Sequence, residues 1–164
     1  MNSTAPHPRT PGVPILKPTP GAVYPKRVTD TPEGTKAIIL GATPQDVTSA
    51  QRWVYQQWRN MGCPDMKACD AASVAVALVS NAHQHTASGL PGGETVLAIR
   101  HGVFLSTIRV SDQGPRPDNT DRPKLPSLRP DRQGLRLVEL VAAYWDWETT
   151  ASGAVTVRAA LEMP

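Results

Sequence analysis

The chain has 164 residues and a mass of 17.6 kDa, which is enough for one domain with a modest core. Its 17 basic and 14 acidic residues give a net charge of +3, and so small an excess does not indicate nucleic-acid binding. The chain has neither an apolar run of the roughly 20 residues that span a bilayer nor a signal-peptide pattern. We therefore expect a cytoplasmic protein with no direct nucleic-acid or membrane partner.

Residues 1–35 are unusually rich in proline and hold eight of the 17 prolines of the chain. They show neither helical nor strand periodicity, so they cannot bury enough apolar surface to offset the entropy lost on ordering. We predict a disordered or polyproline tail over 1–35 and one folded domain over 36–164. Pro8, Pro11 and Pro14 have the spacing of a PxxP ligand, but a proline-rich linker produces such spacings by chance.

The first half of the domain predicts one strand and then a helix. An apolar run over 37–40 ends at Gly41 and indicates a strand. Thr43 or Asp46 can cap the following helix, which carries apolar residues at helical spacing and ends near Asn60.

A second helix is predicted over 66–86. Its middle, 71–79, is apolar on every side, as is typical of a helix that is buried on most faces. The small side chains in this stretch allow close packing against neighbouring elements.

A β-hairpin follows the second helix. Thr95, Leu97 and Ile99 alternate along one strand, and residues 103–110 alternate along the next, around a reversal at His101 and Gly102. Residues 113–133 then lose all periodicity and hold five prolines and five basic residues. A loop this long inside a compact domain is usually functional, and we interpret it as a lid.

A third helix opens at Gly134, and strands are predicted over 144–149 and 154–161. Trp145 and Trp147 share one face of the first of these strands, which favours a core position for both. The order of elements predicts an α/β two-layer sandwich, in which helices cover a mixed, mostly antiparallel sheet.

Four residues stand at element boundaries where their chemistry is useful. Asn81 follows an apolar helical stretch, and its amide is either a structural hydrogen-bonding group or an oxygen ligand for Mg²⁺. Asp112 and Gly114 follow a strand, either as a common Asp-x-Gly turn or as a ligand-binding loop. Gly134 starts a helix after the basic loop, either as a loop-to-helix connection without a ligand or as an anion-binding site.

The cysteines and histidines do not indicate a metal site. Cys63 and Cys69 have neither redox-pair nor zinc-knuckle spacing, so we expect reduced thiols. His83 and His85 are two residues apart on a helix and point in different directions, so they cannot chelate one ion together.

The motifs resemble those of a known family. The segment 78–85 (LVSNAHQH) looks like the N box of the GHKL ATPases, which have the Bergerat nucleotide-binding fold. Segments 110–115 (VSDQGP) and 133–138 (QGLRLV) look like the two glycine boxes, and 153–161 resembles the closing strand. Over residues 36–164 the chain is most similar to the bacterial anti-sigma-factor serine/threonine kinases, which are histidine-kinase-like ATPases.

The resemblance implies ATP and Mg²⁺ as ligands and gives roles to particular residues. It implies that Asn81 coordinates the nucleotide-bound Mg²⁺, that Asp112 accepts a hydrogen bond from the adenine amino group, and that Gly114 shapes the adenine pocket. It also implies that Thr156 lies near the adenine. The phosphates would be held by backbone amides near Gly134, Leu135 and Arg136.

Two positions depart from the family pattern. Ala77 stands where the family carries a Glu that acts as the base for phosphoryl transfer and helps to organise the metal. Arg132 stands where the second glycine box begins with Gly, so a guanidinium can meet the phosphates there. Nucleotide binding tolerates these changes better than catalysis does.

The resemblance therefore implies an ATP-binding regulator that controls a sigma factor or its antagonist protein, with kinase activity weakened at Ala77. Relatives of this kind often form homodimers. Two alternatives remain open on the same fold: a catalytically inactive, nucleotide-gated protein-binding module, and a scaffold that binds no nucleotide.

Overall fold

A computed structural model describes residues 26–27, 34–117 and 133–164. Arg132, most of the predicted tail and most of the predicted lid lie outside the described residues. The elements in chain order are β1 (Lys26–Arg27), β2 (Thr35–Leu40), α1 (Pro44–Asn60), α2 (Asp65–His85), a 3₁₀ turn (Ala87–Gly89), β3 (Thr95–Arg100), β4 (Leu105–Ser111), α3 (Gln133–Val141), β5 (Tyr144–Thr149) and β6 (Val155–Glu162).

The strands form one six-stranded sheet in the order β1-β2-β3-β4-β6-β5, and the helices lie on one of its faces. The predicted α/β two-layer sandwich is confirmed. Among the described strands every pairing is antiparallel, so the prediction of a mixed sheet was wrong. The reason is that β6 lies between β4 and β5, so these two strands, which run in the same direction, are not neighbours.

Two boundaries differ from the predicted ones. Lys26 and Arg27, inside the predicted tail, form β1 along the otherwise open edge of β2, whose unpaired backbone groups accept a further strand. Strand β4 begins at Leu105, whereas Val103 and Phe104 lie in the turn and are 83% and 82% exposed. Alternation continues into that turn and could not mark the start of pairing.

Helix α1 begins with the predicted cap. The Thr43 side chain accepts a hydrogen bond from the Asp46 backbone N–H, and Asp46 Oδ2 accepts one from the Thr43 N–H at 2.9 Å. This reciprocal capping box, with Pro44 in the first turn, satisfies backbone donors that have no partner within the helix.

The core lies between the sheet and α2, which is flanked by α1 and α3. Helix α2 is buried on most faces, as its composition predicted, and its alanines allow neighbouring elements to approach closely. The largest fully buried side chains include Trp58, Ile38, Leu40, Leu78, Leu97, Ile99 and Ile108. No helix among the described residues is both long and apolar enough to cross a membrane.

The two tryptophans of β5 have different environments. Trp145 packs against the core and donates a hydrogen bond from Nε1 to Glu139 of α3 at 2.6 Å. Trp147 is 40% exposed, with its ring centroid 6.2 Å from that of Trp145. The prediction of a core position was therefore right for Trp145, which is partly buried against the core and bonded to α3, and wrong for Trp147.

Candidate functional site

An open cleft of about 780 Å³ lies between α1, α2 and α3. Along α2 it is lined by Ala77, Ser80 and Asn81, and across from them by Gly134 and Leu135 of α3. The cleft therefore contains the predicted metal-binding amide, two of the predicted phosphate-binding positions and the alanine at the position where the GHKL ATPases carry a Glu.

Helix α3 begins directly against Ala77. A Cβ built on Gly134 would lie 3.7 Å from the Ala77 Cβ, at ordinary contact distance. The first-turn N–H groups of α3 have no acceptor within the helix, and the helix dipole makes this end favourable for an anion. The arrangement suits a phosphate group at the mouth of the cleft.

Asp112 lies at the end of β4 and organises the loop that follows. Its Oδ1 accepts hydrogen bonds from the backbone N–H of Gly114 at 2.8 Å and of Val155 at 3.0 Å. Burial raises the pKa of the Asp112 carboxyl above its usual range, although these two N–H groups act in the opposite direction. Oδ2 accepts no hydrogen bond from the described residues.

Gly114 is required by the loop geometry. Its φ is +86°, in the region that disfavours side chains, and a Cβ there would lie 3.1 Å from the Ala154 backbone nitrogen. The carbonyl of Gly114 accepts a hydrogen bond from the Ala87 N–H at 2.8 Å, just beyond the end of α2. The loop that carries Asp112 is thus bonded to the junction that follows the helix carrying Asn81.

The remaining predicted site residues do not line the cleft. Arg136 is exposed on α3. Thr156 alternates along β6 with the core residues Val155 and Val157, so its side chain is on the sheet face opposite the helices, where it bonds Ser111 Oγ at 2.8 Å. Neither Asp112 nor Gly114 is part of the cleft lining, and both lie at the neighbouring strand end. Arg132 is outside the described residues.

Sequence reasoning missed several polar residues of the cleft. Ser73, Ser80 and Gln84 line it on α2, and Gln51 lines it on α1. The signal was present, because Ser73, Ser80 and Gln84 recur with Asn81 at spacings that place them on one face of an otherwise apolar helix.

The donor set fits a nucleotide better than a metal ion alone. Asn81 supplies one neutral oxygen. The part of the chain that the structure describes places no carboxylate in the cleft lining, and it contains no group of three or more His, Cys, Asp or Glu side chains able to hold a metal. Mg²⁺ is usually held by carboxylates together with substrate phosphates. An ion here would therefore depend on nucleotide phosphates for most of its ligands.

His83 gives the fold a predictable dependence on pH. Burial lowers the pKa of His83, and the Asp46 carboxylate and a hydrogen bond with the Gly41 backbone only partly oppose this effect. Its Nε2 is buried without a hydrogen-bond partner among the described residues. Below the unfolded pKa of 6.5 the unfolded chain binds a proton that the folded chain does not, so we expect stability to fall as the pH falls through this range.

Urea unfolding at a series of pH values between 7.5 and 5 measures this effect. The variant His83→Phe should show a smaller loss of stability on acidification than the wild type. His101, whose pKa burial also lowers, should account for part of the remaining dependence. An equal loss in His83→Phe and in the wild type would contradict the assignment.

Solved structures with a similar fold are known. The chain matches the RsbU and RsbW domains of Rv1364c from Mycobacterium tuberculosis with a TM-score of 0.55 and 17% identity, over 82% of this chain and 34% of that one. It matches a chain of the SiaB–SiaC complex from Pseudomonas aeruginosa with a TM-score of 0.59 and 12% identity, over 76% of this chain and 88% of that one.

The chain thus spans about a third of the Rv1364c chain that it matches. No family model and no curated protein matches it. At these identities the likeness shows a shared α/β fold.

Proposed function

We propose that the protein is a nucleotide-binding regulator of the anti-sigma-factor kinase type, which binds ATP beside α2 and controls a sigma factor or its antagonist through protein binding. One observation carries the proposal: the three motif segments converge on a single helix. The loop after β4 bonds to the 3₁₀ turn that follows α2 and, through Arg116, to the last carbonyls of α2. Helix α3 begins against Ala77, on the face of α2 that also presents Asn81.

The proposal divides nucleotide recognition among these elements. Asp112 accepts a hydrogen bond from the adenine amino group, for which Oδ2 is the available oxygen, since Oδ1 already accepts two backbone N–H groups. First-turn amides of α3 at Gly134 and Leu135 bind phosphate oxygens. Asn81 ligates the Mg²⁺ that accompanies the nucleotide, and the ion neutralises phosphate charge when bound.

The presence of Ala77 favours a protein that acts by binding rather than by phosphoryl transfer. A methyl group can neither accept a proton nor hold a metal, and among the described residues no carboxylate lines the cleft to replace it. A general base contributes roughly 10²–10⁴-fold to rate, so any transfer would be slow. The fold is shared with the structure of the RsbU and RsbW domains of Rv1364c and with a chain of the SiaB–SiaC complex, and the latter supports a partner protein for this chain as well.

Thermal unfolding with and without Mg-ATP tests the proposal. A ligand at about 100 times its dissociation constant adds about 2.7 kcal/mol to the free energy of unfolding, so we expect a clear rise in the Tm of the wild type. Asp112→Asn should lose this rise, because its amide offers a donor where the adenine amino group needs an acceptor.

Asp70→Asn is the matched control. Asp70 is on α2, 11 residues before Asn81, and therefore lies about 16 Å from Asn81 along the helix axis. This variant should respond to Mg-ATP like the wild type. If the wild type shows no shift at millimolar nucleotide, the nucleotide proposal fails and the protein is a scaffold on this fold.

A further inference from the structure

The guanidinium of Arg116 binds the carboxyl end of α2. Arg116 Nε donates to the Thr86 carbonyl at 3.2 Å, and Nη2 donates to the carbonyls of His83 at 3.0 Å and Gln84 at 3.2 Å. The last carbonyls of a helix have no partner within it and carry the negative end of the dipole. A fixed, half-buried cation is therefore an effective cap for them.

Arg116 belongs to the loop that it attaches. The segment from Asp112 to Arg116 follows β4, and within it the Gly114 carbonyl accepts from the Ala87 N–H while the Gln113 N–H donates to Ser88 Oγ at 3.0 Å. These backbone contacts join the loop to the turn beyond α2. Arg116 alone in this loop reaches back to the last turn of the helix itself, among the described residues.

We infer that Arg116 is a positioning residue, which holds the strand-end loop carrying Asp112 against the helix carrying Asn81. Asn81 and Asp112 are 31 positions apart in the chain. Among the described residues, no hydrogen bond joins their side chains. The core packing of α2 against β4 sets the distance between the two elements, and the contacts at the end of α2 join the loop after β4 to the helix. Arg116 does not line the cleft and needs no contact with the ligand to act.

The first test is independent of any ligand. Residue-level hydrogen exchange on the full chain measures the protection of the Ala87 and Gln113 amides, whose hydrogen bonds cross the contact. In Arg116→Ala we expect their exchange to accelerate about tenfold or more, since hydrogen bonds to charged groups are among the strongest in proteins. Arg116→Lys keeps a cation at the helix end and should restore part of the protection.

Arg59→Ala provides the matched control, because Arg59 Nη1 donates to the Cys63 carbonyl at 2.9 Å just beyond the end of α1. Loss of that contact should leave the Ala87 and Gln113 amides protected as in the wild type. Unchanged protection in Arg116→Ala would overturn the inference, and so would an acceleration spread evenly over the whole domain.

The consequence for ligand affinity rests on the proposed nucleotide function. If the wild type binds Mg-ATP, Arg116→Ala should bind it about tenfold more weakly, whereas Arg59→Ala should bind it normally, because a displaced binding group loses most of its interaction. Equal affinities would refute this consequence. If the wild type binds no Mg-ATP, the proposed function fails, and hydrogen exchange still decides whether Arg116 positions the loop.

Discussion

Replacement of Asp112 by alanine is expected to lower the free energy of unfolding by about 2–4 kcal/mol, because it leaves two partly buried backbone donors without their acceptor. The N–H groups of Gly114 and Val155 both bond Asp112 Oδ1, and they come from different parts of the chain. The carboxylate therefore closes the loop after β4 onto the start of β6. Urea unfolding at neutral pH measures the loss.

Asp112→Asn separates this structural role from ligand recognition. The amide oxygen can still accept from both N–H groups, and the substitution removes the cost of burying a charge. We therefore expect its stability at neutral pH to equal or exceed that of the wild type. Burial raises the pKa of Asp112, so its protonation adds stability that is fully present below the unfolded pKa of 3.8 and is lost as the pH rises through the folded value. The two hydrogen bonds to Oδ1 remain at neutral pH.

The two variants together test the assignment. A loss in Asp112→Asn as large as that in Asp112→Ala would show that the charge itself stabilises the loop. Full stability in Asp112→Ala would show that the two N–H groups find other acceptors. Retained stability in Asp112→Asn makes any loss of its nucleotide response interpretable as a recognition effect.

Replacement of Gly89 by alanine is expected to destabilise the fold by about 3 kcal/mol or more. A Cβ at this position would lie 1.7 Å from the His83 carbonyl oxygen and 2.5 Å from its carbon. Both atoms belong to backbone at the end of α2, so they cannot rotate away. The 3₁₀ turn must separate from the helix, and the carbonyls that Arg116 binds must move.

Gly134→Ala is the control for Gly89→Ala. Its added Cβ would lie 3.7 Å from Ala77 and meets no backbone closer than 3.8 Å, and alanine is about 1 kcal/mol better than glycine inside a helix. Thermal unfolding should therefore show no loss of stability in Gly134→Ala and a large drop in Tm in Gly89→Ala. A similar Tm for Gly89→Ala and the wild type would show that the turn after α2 is free to move.

Local patterns predicted most elements correctly because their signals lie within a few residues. The Thr43 cap, the buried α2 and the hairpin of β3 and β4 follow from capping chemistry, all-round apolarity and alternation. The errors occur where the pairing with a neighbouring strand decides whether, and from which residue, a segment is a strand. Alternation could not show that β4 begins at Leu105, and nothing local marks Lys26 and Arg27 as a strand.

The candidate site shows the same division. The motif residues Asn81, Asp112 and Gly134 could be selected by type and position, and Ala77 could be recognised as a departure from the family pattern. Their grouping could not be predicted: Asn81 and Gly134 line the cleft, whereas Asp112 bonds backbone at the neighbouring strand end. Thr156 was selected as an adenine contact, but the register of β6 directs its side chain to the opposite sheet face.

The sequence by itself determined the helix and strand types and the capping of α1, because these depend on side-chain chemistry and short-range periodicity. Only the tertiary structure decided the all-antiparallel order of the sheet, the start of α3 against Ala77 and the contact of Arg116 with the end of α2. These features depend on hydrogen bonds and packing between segments tens of residues apart, which no local pattern encodes.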